Sequence, residues 1–461
     1  VVVGALAAVV IAIVSLTAGG GLPAPPRPAV VDGAGPGDPF AYSSTHESDF
    51  VARATAGNAH VLFVKSPGGA LGTAARVAAW RPAIDRAVAG TGIPAAVLEG
   101  LVFVESAGRP EVIAGSDPAD AAGLTQILAQ TGQSLLGMHI DLAASRRLTN
   151  RIDRVAAGTA SGLLGPLRRR RAKVDDRFNP RRALAATVRY LKIARARFGR
   201  LDLAVESYHM GIGNLQQVLA DYDSGRSVPY AQLYFDSTPT RHAAAYRLRA
   251  GFGDDSSLYW WRVLGAVQIM RLYREDRGAL RRLSALQDAD DAGAAVLHPP
   301  GRPRPFAGPG SVAAAYQSRR LVPLPANAAA LGLAIDPGMG TGAASVGAPR
   351  ALYRGLTPGA LRLLVDMAAA VRRLSGVRAP LWVAGTVADQ RYQRQTGLSF
   401  APAATGWAFT IDRRYAAGAQ AEAFQAVLDR LQSLNLIAWA REPATIEVTV
   451  ASDAAAWLRR G

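Results

Sequence analysis

Several stretches of the chain repeat apolar residues with a helical period. In AAVLEGLVFVES, which follows Ile93-Pro94, Leu98, Leu101 and Val102 fall at i, i+3 and i+4, and the next position on that face is Glu105. The proline near the first turn marks the helix start. Glu99 is rotated off the stripe and reads as solvent-facing. A second helix begins after Phe178-Asn179-Pro180, keeps Leu184, Val188 and Leu191 inward, and stops at Phe198-Gly199, a C-cap signal. A third follows Tyr259-Trp260-Trp261 and carries Val263, Leu264, Val267, Ile269 and Met270. At least one of its three aromatics belongs in the core, and any that is free suits stacking on sugars.

Further on the period changes. Thr357-Pro358 opens a helix with Leu361, Leu364, Val365, Met367 and Val371 along it. The stretches Pro380–Ala384, Trp407–Ile411 and Ala444–Val450 read as strands, with the helical AFQAVLDRLQSLNLI between the last two.

Breaks in these patterns divide the chain. Residues 1–17 carry no charge, at the short edge of a membrane span and slightly long for a secretory core, so they read as either a signal peptide or a membrane anchor. Residues 18–50 are a Pro/Gly-rich linker, 51–290 a helical domain, 291–350 a second linker rich in Pro, Gly and Ala, and 351–461 a C-terminal domain. The apolar stretch 321–335 inside the second linker is expected to pack on a neighbour.

Composition narrows the chemistry. The 461 residues hold 49% hydrophobic and 19% charged side chains, so the chain is neither disordered nor polytopic in a membrane. It has no cysteine, which excludes disulfides, thiolate metal sites and cysteine nucleophiles. Lys and Arg number 52 against 35 acidic residues, a formal +17 that favours anionic partners. The basic run Arg168 to Arg171 reads as a solvated loop that would hold such a partner by unspecific charge.

One carboxylate stands out. Glu105 ends a buried stripe, and desolvation disfavours its ionised form, so its pKa should rise toward the range a general acid needs. Gly123-Leu124-Thr125-Gln126-Ile127 follows as a loop with an amide side chain. Tyr208-His209-Met210-Gly211-Ile212-Gly213 is an aromatic followed by a glycine-punctuated turn.

The order of these motifs resembles the soluble lytic transglycosylase domain, similar to goose-type lysozyme: E-S, then G-L-x-Q-I, then a helix ending YL…FG, then Y-x-x-G-x-G, over roughly residues 78–225. The resemblance implies a mainly α, lysozyme-like fold in which Glu105 is the catalytic acid and base. It also implies a glycan cleft formed by Ser106, Gly123, Gln126, Tyr208, His209 and Gly211. The family carries Asn where this chain has His209, and often Met where it has Thr125. A long insertion separates Ile127 from Phe178.

The C-terminal segment, about 355–455, resembles the zinc D-Ala-D-Ala carboxypeptidases in its α+β order. Its ligand positions hold Ala403, Thr410 and Glu447 instead. All six histidines lie at or before His298, and zinc favours imidazole or thiolate, so no metal centre is expected there. The domain reads as a degenerate peptidase relative, either binding stem peptides or acting as a spacer.

The resemblance therefore implies a multidomain, exported enzyme, membrane-anchored or secreted, that cleaves peptidoglycan glycan strands without a cofactor. Lytic transglycosylases use one carboxylate and leave a 1,6-anhydro end on N-acetylmuramic acid. A hydrolytic muramidase would need a second carboxylate, for which Asp117, Asp120 and Glu206 are candidates. A wall-binding protein without turnover is the other alternative. Expected partners are glycan strands, stem peptides or anionic wall polymers, and the membrane through the N-terminal segment. Nucleic acid is not among them.

Overall fold

A computed structural model describes residues 22–35, 37–158, 161–253, 255–299 and 301–459. The apolar segment 1–17, expected to be a signal peptide or anchor, lies outside them. Among the described residues, no helix is long and apolar enough to cross a membrane. The chain is mostly helical, with a C-terminal α+β region.

The expected helix around Glu105 runs Ala95–Ser106, directly after Pro94. Leu98, Leu101 and Val102 are fully buried on it, each stabilising by about 1.5–3 kcal/mol. The helix Tyr259–Glu275 packs along it. Gly100 permits that approach, because a Cβ there would sit 2.7 Å from the Val263 carbonyl oxygen. The helix Pro180–Phe198 is capped by Asn179, whose side chain accepts from the Arg181 and Arg182 amides. It ends at Gly199 with φ 69°.

Two local expectations are corrected. Glu99 is not a solvent residue but fully buried, in ion pairs with Arg274 (2.7 Å) and Arg81 (3.4 Å). The Ala95–Ser106 helix is covered on more than one side, so a position off the main stripe still meets protein. The basic run Arg168–Arg171 is not a loop. It belongs to the helix Leu164–Val174, and Arg171 is buried over the Phe178 ring.

The C-terminal sheet orders its strands as Leu333–Ile335, Leu381–Gly385, Ala408–Asp412, Thr445–Val450 and Ile437–Arg441. The first pair is parallel and the others antiparallel. Its edge strand Leu333–Ile335 comes from the segment read as the second linker. That segment also holds the helix Pro309–Gln317 and a short antiparallel pairing of Val322–Pro323 with Gly355–Leu356. The helices Pro358–Ser375 and Gly418–Ser433 pack on each other.

The helical and α+β regions share contacts. Phe50 sits among Phe235 and Trp457, with ring centroids 5.1 and 5.2 Å apart. Tyr234 and Ser433 hydroxyls lie 2.9 Å apart, and Arg53 pairs with Asp453.

Candidate active site

Glu105 is half-buried near the C-terminal end of its helix, with Ser106 the last residue before a turn at Ala107, φ 52°. Its Oε1 accepts a 2.5 Å hydrogen bond from the Tyr259 hydroxyl. Burial pushes the Glu105 carboxyl up to about 7, and the Tyr259 hydrogen bond opposes that rise. The Tyr259 phenol is itself held well above its usual range, first by burial and then by the nearby Glu105 charge. It therefore donates rather than ionises at neutral pH.

Tyr259 is the residue that sequence reasoning missed. The Tyr259-Trp260-Trp261 triplet divides into three roles. Trp261 is core, as expected of at least one of the three. Trp260 is half-buried and its amide donates to Glu206 (2.8 Å). Tyr259 is buried beside the acid. The available signal was an aromatic opening a strongly apolar helix, which does not distinguish a core residue from an acid's partner.

The other residues singled out in the sequence are joined to Glu105 and to one another through a few contacts. Ser106 is buried, and its hydroxyl donates to the Leu124 carbonyl (2.7 Å), tying the helix end to the following loop. Gly123 has φ 83°, and a Cβ there would clash with the Arg177 carbonyl oxygen. Arg177 is buried with Asp175 (2.7 Å), and its guanidinium also donates to the carbonyls of Asp120 and Ile127. The insertion's end therefore buttresses the loop from beneath. Gln126 sits at φ 47°, and its Nε2 donates to the carbonyls of Gly123 (2.8 Å) and Val112 (3.1 Å).

Tyr208 comes from the helix Leu201–Met210 and donates its hydroxyl to the Thr125 carbonyl (2.7 Å). Its ring is near-parallel to Tyr259, with centroids 6.3 Å apart. The His209 ring also stacks on Tyr259 at 5.3 Å, and its Nδ1 shares a 2.8 Å hydrogen bond with the Ser256 hydroxyl. Gly211, at φ 91°, joins that helix to Ile212–Asp223. Glu105, Tyr208, His209 and the Thr125–Gln126 loop are thus linked through Tyr259 and Tyr208. Ser106 Oγ and Gln126 Nε2 donate to backbone carbonyls.

The three further carboxylates have other engagements. Asp117 is at the surface, bound to Arg146 (2.9 Å). Asp120 is exposed and packs over the Gly115 turn. Glu206 is fully buried under Trp260, and burial pushes it up to about 8. No substrate reaches it without opening the core. Among the described residues no cluster of His, Asp and Glu could hold a metal.

Residues 82–227 match the transglycosylase SLT domain. This is a peptidoglycan-cleaving domain of the lytic transglycosylase type, and it accounts for the lysozyme-like, helical character of this region. The match includes Glu105, Gln126, Tyr208 and Gly211 and leaves Tyr259 beyond its end. No curated protein matches the chain.

Proposed function

We propose that the chain cleaves the β-1,4 bond between N-acetylmuramic acid and N-acetylglucosamine by transglycosylation, with Glu105 as both acid and base. The observation that carries this reading is a half-buried carboxyl raised to about 7 and held by the Tyr259 hydroxyl, while Asp117 is paired with Arg146 and Glu206 is buried under Trp260.

The steps use one proton carrier. Glu105 gives its proton to the glycosidic oxygen, the C1–O bond breaks, and positive charge develops on the muramyl ring. The Glu105 carboxylate, held by the Tyr259 hydroxyl, then takes the proton from the muramyl C6 hydroxyl. That oxygen bonds to C1 and closes the 1,6-anhydro ring. Glu105 ends protonated, no water is consumed, and the cycle is complete. A pKa near 7 suits both halves, since neither protonation state is strongly disfavoured.

Tyr208 contributes position rather than charge in this reading. Its hydroxyl is committed to Thr125, so it clamps the Gln126 loop against the helix that follows. Hydrolysis by a retaining mechanism is the poorer alternative, because it needs a second carboxylate about 5–5.5 Å from the acid, and Asp117 and Glu206 are engaged with Arg146 and the Trp260 amide. A non-catalytic wall-binding role leaves the raised Glu105 carboxyl without a purpose.

For the C-terminal unit we propose a non-catalytic relative of the zinc carboxypeptidases. Thr410 and Glu447 are register partners on adjacent strands, and Ala403 is buried in the turn before them. These are the positions where the resemblance expects metal ligands, and they offer one carboxylate. In this reading the enzyme acts outside the cytoplasm, anchored or secreted, with glycan strands as substrate. Comparison of murein fragments released by the wild type and by Glu105→Gln tests the whole assignment.

A further inference from the structure

The insertion between Ile127 and Phe178 folds largely as a helical hairpin, Leu142–Ala156 against Leu164–Val174. Residues 142–174 hold nine basic side chains and one acidic one. Three of the nine have internal work, Arg154 by donating to the Asn150 carbonyl (3.2 Å). Arg146 pairs with Asp117, and buried Arg171 donates to Thr149 (3.1 Å) and to the Glu111 carbonyl (3.0 Å). Arg171 thereby fastens the hairpin to the loop that leads into the active site.

The outer face differs. Pro166, Arg169, Arg170 and Lys173 stand at i, i+3, i+4 and i+7, so they share one side of their helix. Arg151 of the first helix joins them around a shallow cavity of about 300 Å³. Arg151, Arg169, Arg170 and Lys173 are exposed and make no ion pair among the described residues. One turn before this face, Leu163 is 49% exposed and lines the same cavity. The surface therefore has a cationic end and an apolar end.

We propose that this face of the hairpin docks on an anionic phospholipid surface. Both ends are satisfied by that one partner. The guanidinium groups donate to headgroup phosphates, and Leu163 enters the interfacial layer beside them. A soluble polyanion would neutralise the arginines but leave Leu163 in water, so an anionic lipid surface fits better. The seat is independent of the chemistry at Glu105 and of the apolar residues 1–17.

The test uses the full chain and two kinds of vesicle, phosphatidylcholine alone and phosphatidylcholine with phosphatidylglycerol. The ratio of binding to the two cancels whatever residues 1–17 contribute to both. The wild type is expected to favour the anionic vesicles strongly. The triple variant Arg169→Gln, Arg170→Gln, Lys173→Gln is expected to lose that preference by on the order of a hundredfold, from a contribution of about fivefold per cation. Leu163→Ala should weaken binding at high salt, where charge is screened and the apolar contact persists. Murein cleavage in solution should be unchanged in the triple variant, which shows that it is folded. An unchanged vesicle ratio in the triple variant would overturn the proposal. So would equal binding of a soluble phosphodiester polymer by the wild type and by Leu163→Ala, together with no preference of the wild type for anionic vesicles.

Discussion

The phenol of Tyr259 donates a 2.5 Å hydrogen bond to Oε1 of Glu105 across 154 residues of chain. The two sit on helices packed together, Ala95–Ser106 and Tyr259–Glu275, so the bond is held by helix packing rather than by a flexible loop. It stabilises the carboxylate, which the second half of the reaction requires.

Tyr259→Phe should leave the fold intact and raise the Glu105 pKa further, because the removed hydrogen bond opposes the effect of burial. Cleavage needs protonated Glu105 at the start, so activity falls as pH rises past about 7 in the wild type. In the variant that falling limb should move to higher pH. The maximal rate should drop roughly ten- to a hundredfold, the worth of a hydrogen bond to a charged group. A pH–rate profile measures both, and an unmoved limb would remove Tyr259 from the account.

Glu206 gives a prediction about stability. Its folded pKa, about 8, lies above the ordinary 4.5, so the folded state holds the proton through that window while the unfolded state has released it. Stability from this group is fully present below pH 4.5 and is lost as pH rises toward 8, at up to about 1.4 kcal/mol per pH unit. Glu206→Gln should flatten the decline of melting temperature between pH 5 and 8. Parallel wild-type and variant curves would mean that Glu206 is ionised in the folded protein.

Gly123 and Gly213 make a matched pair. Gly123→Ala forces a side chain onto φ 83° and against the Arg177 carbonyl, so it should cost at least about 2 kcal/mol and distort the Gln126 loop. Gly213 meets nothing within 4 Å, and Gly213→Ala should be neutral or slightly stabilising. Thermal melting with a glycan-release assay separates them. Equal melting temperatures would contradict the buttress role given to Arg177.

Chelators should leave glycan cleavage unchanged, since the proposed steps pass through Glu105 alone. Loss of activity on chelation, restored by added zinc, would show a metal requirement and overturn the single-carboxylate mechanism.

Legibility in the sequence followed the range of the interactions. The position of Glu105 at the end of a buried face is readable because Leu98, Leu101 and Val102 mark that face on its own helix. The caps at Asn179 and Gly199 are equally local. Tyr259 was not readable as the acid's partner, because its place depends on how two distant helices cross at Gly100. Glu99 was misjudged for a related reason. A single stripe implies one neighbouring layer, whereas Arg81 and Arg274 reach it from two other helices. The strand Leu333–Ile335 has three residues, too few for a period, and only its parallel partner Leu381–Gly385 makes it part of the sheet.

The central claim is that one carboxyl serves as acid and then base without water. Mass spectrometry of fragments released from purified murein, wild type beside Glu105→Gln, tests it directly. The account predicts wild-type fragments lighter by one water than hydrolysis products, and a loss of at least about a hundredfold in the nearly isosteric variant. Reducing-end fragments from the wild type, or full activity in Glu105→Gln, would contradict it.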